Sequence, residues 1–313
     1  QQTIGGTTTN ITSTTTTSRD GVATFSNIGF QSGVSGDQTL TVSSDAFVGT
    51  TMTITPTFLA TQVTISTSPN SNGSFVDGVW VTPSAAASTI QASQLAAELA
   101  LRDVTIETLI TDKTNTSETL GSVTFSANVI KASGGDRTLT IKANKNIRLR
   151  GFGPSSTSGK LNVILWSDSD SNNGGGISVY GTGSVYAIDS NGGHVAIGGG
   201  SASTTWNDLV IPSGYAQSNS QFASDWYGIE FGVNQSISGH KLIRTSGGNL
   251  RVYGDANSAQ STQYGIAWES GEINTGSGSI EINGRTSRDT NATGGLNYGV
   301  GVGANRNDSN DIA

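Results

Sequence analysis

Three stretches of the chain repeat one pattern: "IDSNGGHVAIGGG" at residues 188–200, "IRTSGGNLRVYGD" at 243–255 and "INTGSGSIEINGR" at 273–285. Each begins with Ile, continues through two spacers and a turn of small residues, and ends in an alternating apolar strand closed by Gly. Gly and Asn suit sharp turns because they adopt positive backbone angles at little cost. Alternating Ile, Val and Leu suit strands whose inward side chains stack in files. The repetition predicts coils of roughly 20–30 residues that stack on one another.

Looser copies of the pattern lie upstream, as "LTIKANKNIRLRG" at 139–151 and "ILWSDSDSNNGGGISVYG" at 164–181. The starts of the three clear copies differ by 55 and 30 residues, so insertions must separate some coils. We therefore predict an all-β protein in which residues 104–313 form a right-handed parallel β-helix, a solenoid cut short at its C-terminal end. A chain of antiparallel β-sandwiches is the alternative, because hairpin turns also use Asn and Gly.

Two further regions precede the repeats. Residues 1–65 are Thr-rich with period-2 alternation and predict several short antiparallel strands, a partial immunoglobulin-like β-sandwich. Residues 66–103 predict a linker and a capping helix within "SAAASTIQASQLAAELALRD", where Ile90, Leu95, Leu99 and Leu101 cluster toward one side. A shorter helix capped by Ser93 is the alternative reading of that stretch.

The Thr-rich region and the first predicted coils resemble parts of very large bacterial surface proteins. "GTTTNITSTTTTSRDGVATFSNIGFQSGVSGDQTLTVSS" looks like the later half of their immunoglobulin-like repeats. "IQASQLAAELALRDVTIET", "GSVTFS", "RTLTIKANKNIRL", "GKLNVILWSDSDSNNGGGISV" and "IDSNGGHVAIGGG" resemble successive coils of filamentous-haemagglutinin-type β-helices, as in two-partner-secreted adhesins. The resemblance covers residues 91–200 best. It implies a surface adhesin or fibre component and carries no catalytic motif.

The amino-acid composition limits the classes of partner that this protein is expected to bind. The 313 residues contain 42 Gly, no Cys and only 12% charged residues, with a net charge of −7. An acidic balance disfavours nucleic acid, whose affinity comes mainly from Lys and Arg, and disfavours docking on anionic membranes. No run approaches the ~18–20 apolar residues of a membrane-spanning helix. The absence of Cys excludes disulfides and thiolate metal sites.

One stretch has the beginning of a calcium loop. Asp168, Asp170 and Asn172 stand at alternate positions, with Gly174 behind them. An EF-hand loop needs Gly at its sixth position and Glu at its twelfth, where this chain has Asn173 and Val179. Aspartates at a corner also accept backbone N–H groups in Asx turns. The sequence thus offers two readings: a structural turn, or a weak calcium site as the sole cofactor site.

Aromatic residues in the insertion at 204–232 offer a binding surface. Trp206, Tyr215, Trp226 and Tyr227 would suit a glycan if their rings were exposed, since sugar C–H faces pack on aromatic rings. The alternative is that they fold back over the coil and are buried.

Catalysis would need two carboxylates roughly 5–10 Å apart. The candidate acidic residues occur singly: Asp225, Glu230, Glu269, Glu272 and Glu281.

Together these patterns predict a secreted, extracellular or cell-surface structural protein that is not an enzyme. One hypothesis is an adhesin whose rigid rod presents a glycan- or host-binding surface. The alternative is the subunit of a self-associating filament or sheath, joined by strand pairing at its ends. A polysaccharide-degrading β-helix enzyme is a distant third.

Overall fold

The computed structural model divides the chain into two units, Gln1–Phe58 and Leu59–Ala313. It describes residues 58–110, 119–172, 174–181, 185–217, 227–232, 241–256, 263–286 and 297–302, of which 263 and 297 by backbone alone. In the first unit it describes the backbones of six strands: β1 (Gln2–Ile4), β2 (Thr7–Thr9), β3 (Thr14–Thr17), β4 (Ala23–Ser26), β5 (Gln38–Ser44) and β6 (Phe47–Ile54).

The first unit contains antiparallel pairs. β1 pairs with β2, β3 with β4 and β5 with β6. Short antiparallel strands are what the alternating Thr-rich sequence predicts. That these pairs belong to half of an immunoglobulin-like sandwich stays a prediction.

The second unit contains one described helix and the remaining strands. In chain order these are β7 (Gln62–Ser66), β8 (Ser74–Val76), β9 (Val79–Val81), β10 (Ala87–Gln91), α1 (Ala92–Leu101), β11 (Val104–Glu107), β12 (Val123–Phe125), β13 (Val129–Lys131), β14 (Arg137–Lys142), β15 (Ile147–Arg150), β16 (Pro154–Ser156), β17 (Leu161–Ser167), β18 (Ile177–Tyr180), β19 (Tyr186–Asp189), β20 (Val195–Trp206), β21 (Leu209–Gly214), β22 (Ala216–Gln217), β23 (Tyr227–Phe231), β24 (Lys241–Arg244), β25 (Leu250–Ala256), β26 (Gln263–Trp268), β27 (Glu272–Asn274), β28 (Ile280–Thr286) and β29 (Asn297–Val302).

These strands form three sheets. Sheet A has the order β10-β7-β12-β15-β18-β23-β26-β29, and sheet B has the order β13-β16-β19-β24-β27. Sheet C has the order β22-β25-β20-β17-β14-β11-β9-β8, with β28 also pairing β25 and β21 also pairing β20. Sheets A and B are wholly parallel, and in sheet C only β8–β9 and β20–β21 pair antiparallel. The expectation of an all-β protein with parallel sheets is confirmed, and antiparallel sandwiches are excluded as the description of these sheets.

From β12 onward the chain visits the sheets in the fixed order A, B, C. Three circuits run from β12 to β20, the next uses β23, β24 and β25, and the last uses β26, β27 and β28 before β29 returns to sheet A. Each strand pairs in parallel with the strand one circuit earlier in the same sheet, as Leu139, Val163 and Val195 do in register. Successive circuits therefore lie on one another.

The core consists of apolar files that run across the circuits. In sheet C one file joins, in register, Ile106, Ile141, Leu165, Ile197, Val252 and Ile282. All but the last of these side chains are fully or almost fully buried. Each inward residue is covered by its equivalents before and after it, so burial repeats with the circuit and stabilises the stack through the hydrophobic effect.

The corner between sheets B and C explains the repeated motif. Ser190 and Thr275 are buried there, and each hydroxyl donates to the carbonyl three residues on, at Gly193 (2.6 Å) and Gly278 (2.8 Å). Ser156 and Thr245 make the equivalent bonds to Gly159 and Gly248. The small-residue turn is thus a closed polar unit that buries no unpaired hydroxyl at this corner.

The boundary expected after residue 65 falls earlier, after Phe58. Strand β7 belongs to sheet A, because it pairs in parallel with both β10 and β12. Its Val63 and Ile65 are fully buried in the core of the second unit. The residues before β7 are Thr-rich and alternate in the same way, so local pattern alone does not mark the change from antiparallel to parallel pairing.

The predicted helix is present, but it is shorter than the predicted stretch at residues 84–103. Residues 87–91 form β10 rather than the first turns of a helix, since Ile90 pairs with Ile65 across the sheet. The helix begins at Ala92, and its N-cap residue is Gln91, which makes no side-chain cap, so Ser93 is not the cap. Leu95 and Leu99 are buried, whereas Leu101 is 66% exposed, so the prediction that it shares their buried side is wrong.

Helix α1 takes the place of a sheet B strand. It lies between β10 of sheet A and β11 of sheet C, and it packs against β13, the first strand of sheet B. A helix in that position shields the edge of β13, which would otherwise offer unpaired backbone groups. No helix among the described residues has the length and apolar character needed to span a bilayer.

Candidate functional site

The loop that joins β17 to β18 contains the predicted calcium ligands. It curls tightly, with positive φ at Asp168 (48°), Ser171 (54°) and Gly174 (71°). The Ser171 N–H donates to the carbonyl of Asp168 at 2.9 Å. Asp at positive φ is tolerated better than most residues, because its short polar side chain bonds locally.

This loop is fixed to the preceding circuit. The Ser169 N–H donates to the Ala143 carbonyl at 3.0 Å, and the Asn144 side-chain amide donates to the Ser169 hydroxyl at 2.9 Å. The Gly176 N–H donates to the Asn146 side-chain oxygen at 2.8 Å. The loop is therefore held in one conformation by a buried polar network that spans two circuits.

The structure brings Asp168 and Asp170 together. Asp168 is only 1% exposed, and its carboxylate accepts backbone N–H bonds from Asn172 and Gly174. One oxygen of each carboxylate, Oδ1 in both cases, is buried without a hydrogen-bond partner. Asn172 contributes through its backbone N–H.

Burial raises the pKa of Asp168 to about 7. The negative charge of Asp170 is the second cause of this rise in pKa, and the N–H groups of Asn172 and Gly174 oppose both effects. Two carboxylates that share a buried corner disfavour each other's ionisation. Without a cation, this corner is a source of instability near neutral pH.

The loop departs from an EF-hand at its end. Val179, at the twelfth position, is a fully buried core residue of β18 and offers no ligand oxygen from its side chain. Asn173 lies outside the described residues. Within the described ranges no group of three or more His, Cys, Asp or Glu side chains converges on a point. Any cation here would be held by two carboxylates supplemented by neutral oxygens or water.

We expect the stability of the chelator-treated protein to depend on pH through Asp168. Its folded pKa of about 7 lies above its ordinary value of 3.8, so the folded state binds the extra proton between those values. The contribution to stability is complete below pH ~4 and is lost as pH rises through 7, at up to about 1.4 kcal/mol per pH unit. Denaturation midpoints from pH 4 to 8 should show this slope, and Asp168→Asn should remove it. Identical slopes of stability against pH in the wild type and Asp168→Asn would contradict the raised pKa of Asp168.

The predicted aromatic residues do not share one surface. Trp206 ends β20 and is partly buried against an outward apolar cluster of Ile164, Trp166, Ala196 and Ile211. The β20–β21 hairpin folds over that cluster, and the ring of His194 meets Trp206 edge-on at 5.7 Å. Trp206 thus helps to cover the outer face of sheet C.

Tyr215 and Tyr227 lie in two other clusters. The Tyr215 ring stacks on Tyr253 at 5.2 Å, and the Arg285 guanidinium lies 3.8 Å from its centre. Tyr227 is buried and adjoins Tyr264, its register partner in sheet A. Trp226 lies outside the described residues. In the described residues the folded-back alternative therefore fits better than an open aromatic platform.

Three of the described acidic residues weighed for catalysis have ordinary side-chain partners: Glu230, Glu272 and Glu281. Lys241 and the Tyr186 hydroxyl (2.5 Å) bind Glu272 and lower its pKa to about 2, the reverse of what a general acid needs. Glu281 accepts from Tyr253 and faces Arg251 at 3.6 Å. Glu230 accepts from the Tyr180 hydroxyl at 3.2 Å, and Asp225 lies outside the described residues.

Sequence reasoning missed a buried lysine. Lys131 ends β13 fully buried, and its ammonium group donates to the carbonyls of Ser158 and Gly134 (3.4 Å). Burial lowers its pKa. Aligning "KASGG" at 131–135 with "STSG" at 156–159 would have placed Lys131 at the buried hydroxyl position of the corner motif.

The chain matches no family model, no curated protein and no solved structure with which it was compared.

Proposed function

We propose that residues 59–302 form a parallel β-helix and that the protein is an extracellular, non-catalytic rod, part of a bacterial surface adhesin or fibre. The observation that carries this proposal is that, from β12 onward, each circuit adds a strand to each of three sheets, and that strand pairs in parallel with its equivalent in the circuit before. A chain that returns to the same three sheets in order, circuit after circuit, has the connectivity of a solenoid.

Such a rod would act mechanically. The ladder hydrogen bonds of all three sheets run in the stacking direction, so tension along the stack loads many bonds together. With strands about 4.8 Å apart, the eight strands of sheet A span about 34 Å. Stability comes from the apolar files and the hydroxyl corners, which suits a chain without disulfides.

Assembly through the stack end is the second candidate, and one observation favours it. Three residues that continue core files are exposed in the last described strands: Ile280 (47%), Val300 (37%) and Val302 (64%). They stand in register with Leu250, Ile266 and Trp268 of the circuit before. A further coil, from the same chain or a neighbouring molecule, would cover them and pair with β28 and β29.

Electron microscopy of the native material tests the proposal. We expect rods or filaments, a repeat of about 4.8 Å along their axis, and immunogold label on intact, unpermeabilised cells. Separate rods that bind glycans would support the adhesin, and long filaments that dissociate on dilution would support the polymer. Compact particles without the repeat, or label found only inside cells, would contradict the rod.

A polysaccharide-hydrolysis assay on the same material tests the enzyme alternative. Hydrolysis that disappears on replacing a single acidic residue would restore it.

A further inference from the structure

Two buried carboxylate oxygens on the β17–β18 loop have no role in the proposed rod. Asp168 Oδ1 and Asp170 Oδ1 have no hydrogen-bond partner, and Asp168 is only 1% exposed. Neither carboxylate has an ion pair in the part of the chain that the structure describes. A buried anion without a counter-charge costs several kcal/mol, so proteins seldom retain one unless something binds it.

The loop is arranged to leave these oxygens free. Its N–H donors, from Asn172 and Gly174, already bind the Asp168 carboxylate and fix its orientation. The aspartates are two positions apart on a loop fixed to Ala143, Asn144 and Asn146. A preformed pair of oxygen acceptors without donors is suited to a cation.

We propose that Asp168 Oδ1 and Asp170 Oδ1 bind a calcium ion, which fastens the β17–β18 corner to the circuit before it. Calcium fits better than zinc, because the loop offers oxygen ligands and the chain has no Cys. It also fits better than magnesium, which demands a more regular octahedral site. Asn172 acts as a positioning residue through its N–H, so its side chain is not required.

Two protein carboxylates make a weak site. Extracellular calcium modules bind with a Kd of about 10⁻⁴–10⁻³ M, and we expect this range here. Binding does not depend on the rod being an adhesin or a fibre, so this proposal can fail or succeed independently of the proposed function.

Calorimetric titration of the chelator-stripped full chain with calcium chloride tests the site. The wild type should bind one ion per chain, and Asp168→Asn and Asp170→Asn should each weaken binding at least tenfold. Asp208→Asn is the matched control: Asp208 is exposed at the tip of the β20–β21 hairpin and has positive φ (60°), so calcium binding should not change. Magnesium chloride should bind more weakly than calcium.

Melting temperature gives a second readout that a purely structural turn would not reproduce. We expect 10 mM calcium to raise the apparent melting temperature of the wild type by about 3–6 °C and that of Asp170→Asn by less than about 1 °C. Without calcium, Asp170→Asn should melt above the wild type, because it removes a charge that repels buried Asp168.

Three results would overturn the proposal: no saturable binding below 10 mM calcium, undiminished binding in Asp170→Asn, or an equal calcium response in both proteins. Because Asn keeps the size of Asp, circular dichroism should show both variants folded. If Asp168→Asn does not fold, the result with Asp170→Asn decides.

Discussion

Replacing Gly248 by alanine should destabilise the second unit by at least about 3 kcal/mol. Gly248 lies at the corner between sheets B and C, where a Cβ atom would collide with the carbonyl carbon and oxygen of Gly193 in the preceding circuit. Gly193 and Gly278 are equally confined, by Leu161 and by Gly248. The obstacle is backbone on both sides, so relief requires circuits to separate and the apolar files to loosen.

Gly135→Ala is the matched control for that change. Gly135 lies at the same corner in the first circuit, one residue after Gly134, and the nearest atom to its Cβ would be a side-chain nitrogen of Arg137 at 3.8 Å. We expect its free energy of unfolding to stay within about 0.5 kcal/mol of wild type. Urea denaturation of the three proteins provides the measurement. Equal midpoints for the two variants would show that the backbones of Gly193 and Gly248 are not in close contact.

Leu99→Ala should cost about 3 kcal/mol, and Leu101→Ala should cost less than about 0.5 kcal/mol. The two leucines are two residues apart on α1, but Leu99 is fully buried and Leu101 is 66% exposed. Truncating Leu99 removes apolar contact and leaves a cavity beneath the helix. Loosening α1 also uncovers the edge of β13, so aggregation should increase with Leu99→Ala alone.

Chemical denaturation and light scattering of these two variants test the role of the helix. The pair is informative because both changes remove the same atoms from the same helix and differ only in burial. A larger loss of unfolding free energy for Leu101→Ala than for Leu99→Ala would mean that α1 packs through its other face.

Local sequence contains much of the strand architecture. Alternation in "RTLTIK" and "LNVIL" is sufficient to predict β14 and β17, since an inward side chain must be apolar at every second position. The corner motif is equally local: a hydroxyl residue followed three positions later by Gly forms its own buried hydrogen bond, as at Ser190. For the same reason the four residues "SDSD" are enough to indicate a corner with two carboxylates.

No single segment of the sequence specifies which distant strands will pair. "STIQ" reads as part of a helix, yet residues 87–91 form a strand because β7 offers an edge in register. The 55-residue interval between the first two motifs gives no hint that β20 continues into a hairpin with β21, which covers Trp166. Burial of Trp206 and Tyr227 likewise depends on which strands become neighbours.

The sequence by itself therefore determined most strands of the repeats, the corners and the acidic loop of this protein, because each depends on residues within a few positions of one another. Only the tertiary structure decided that the circuits stack in parallel, that β10 is a strand, and that Asp168 and Asp170 each hold a buried oxygen without a partner. The reason is physical: burial and ladder hydrogen bonds are supplied by the neighbouring circuit, which lies about 25–55 residues away in the chain.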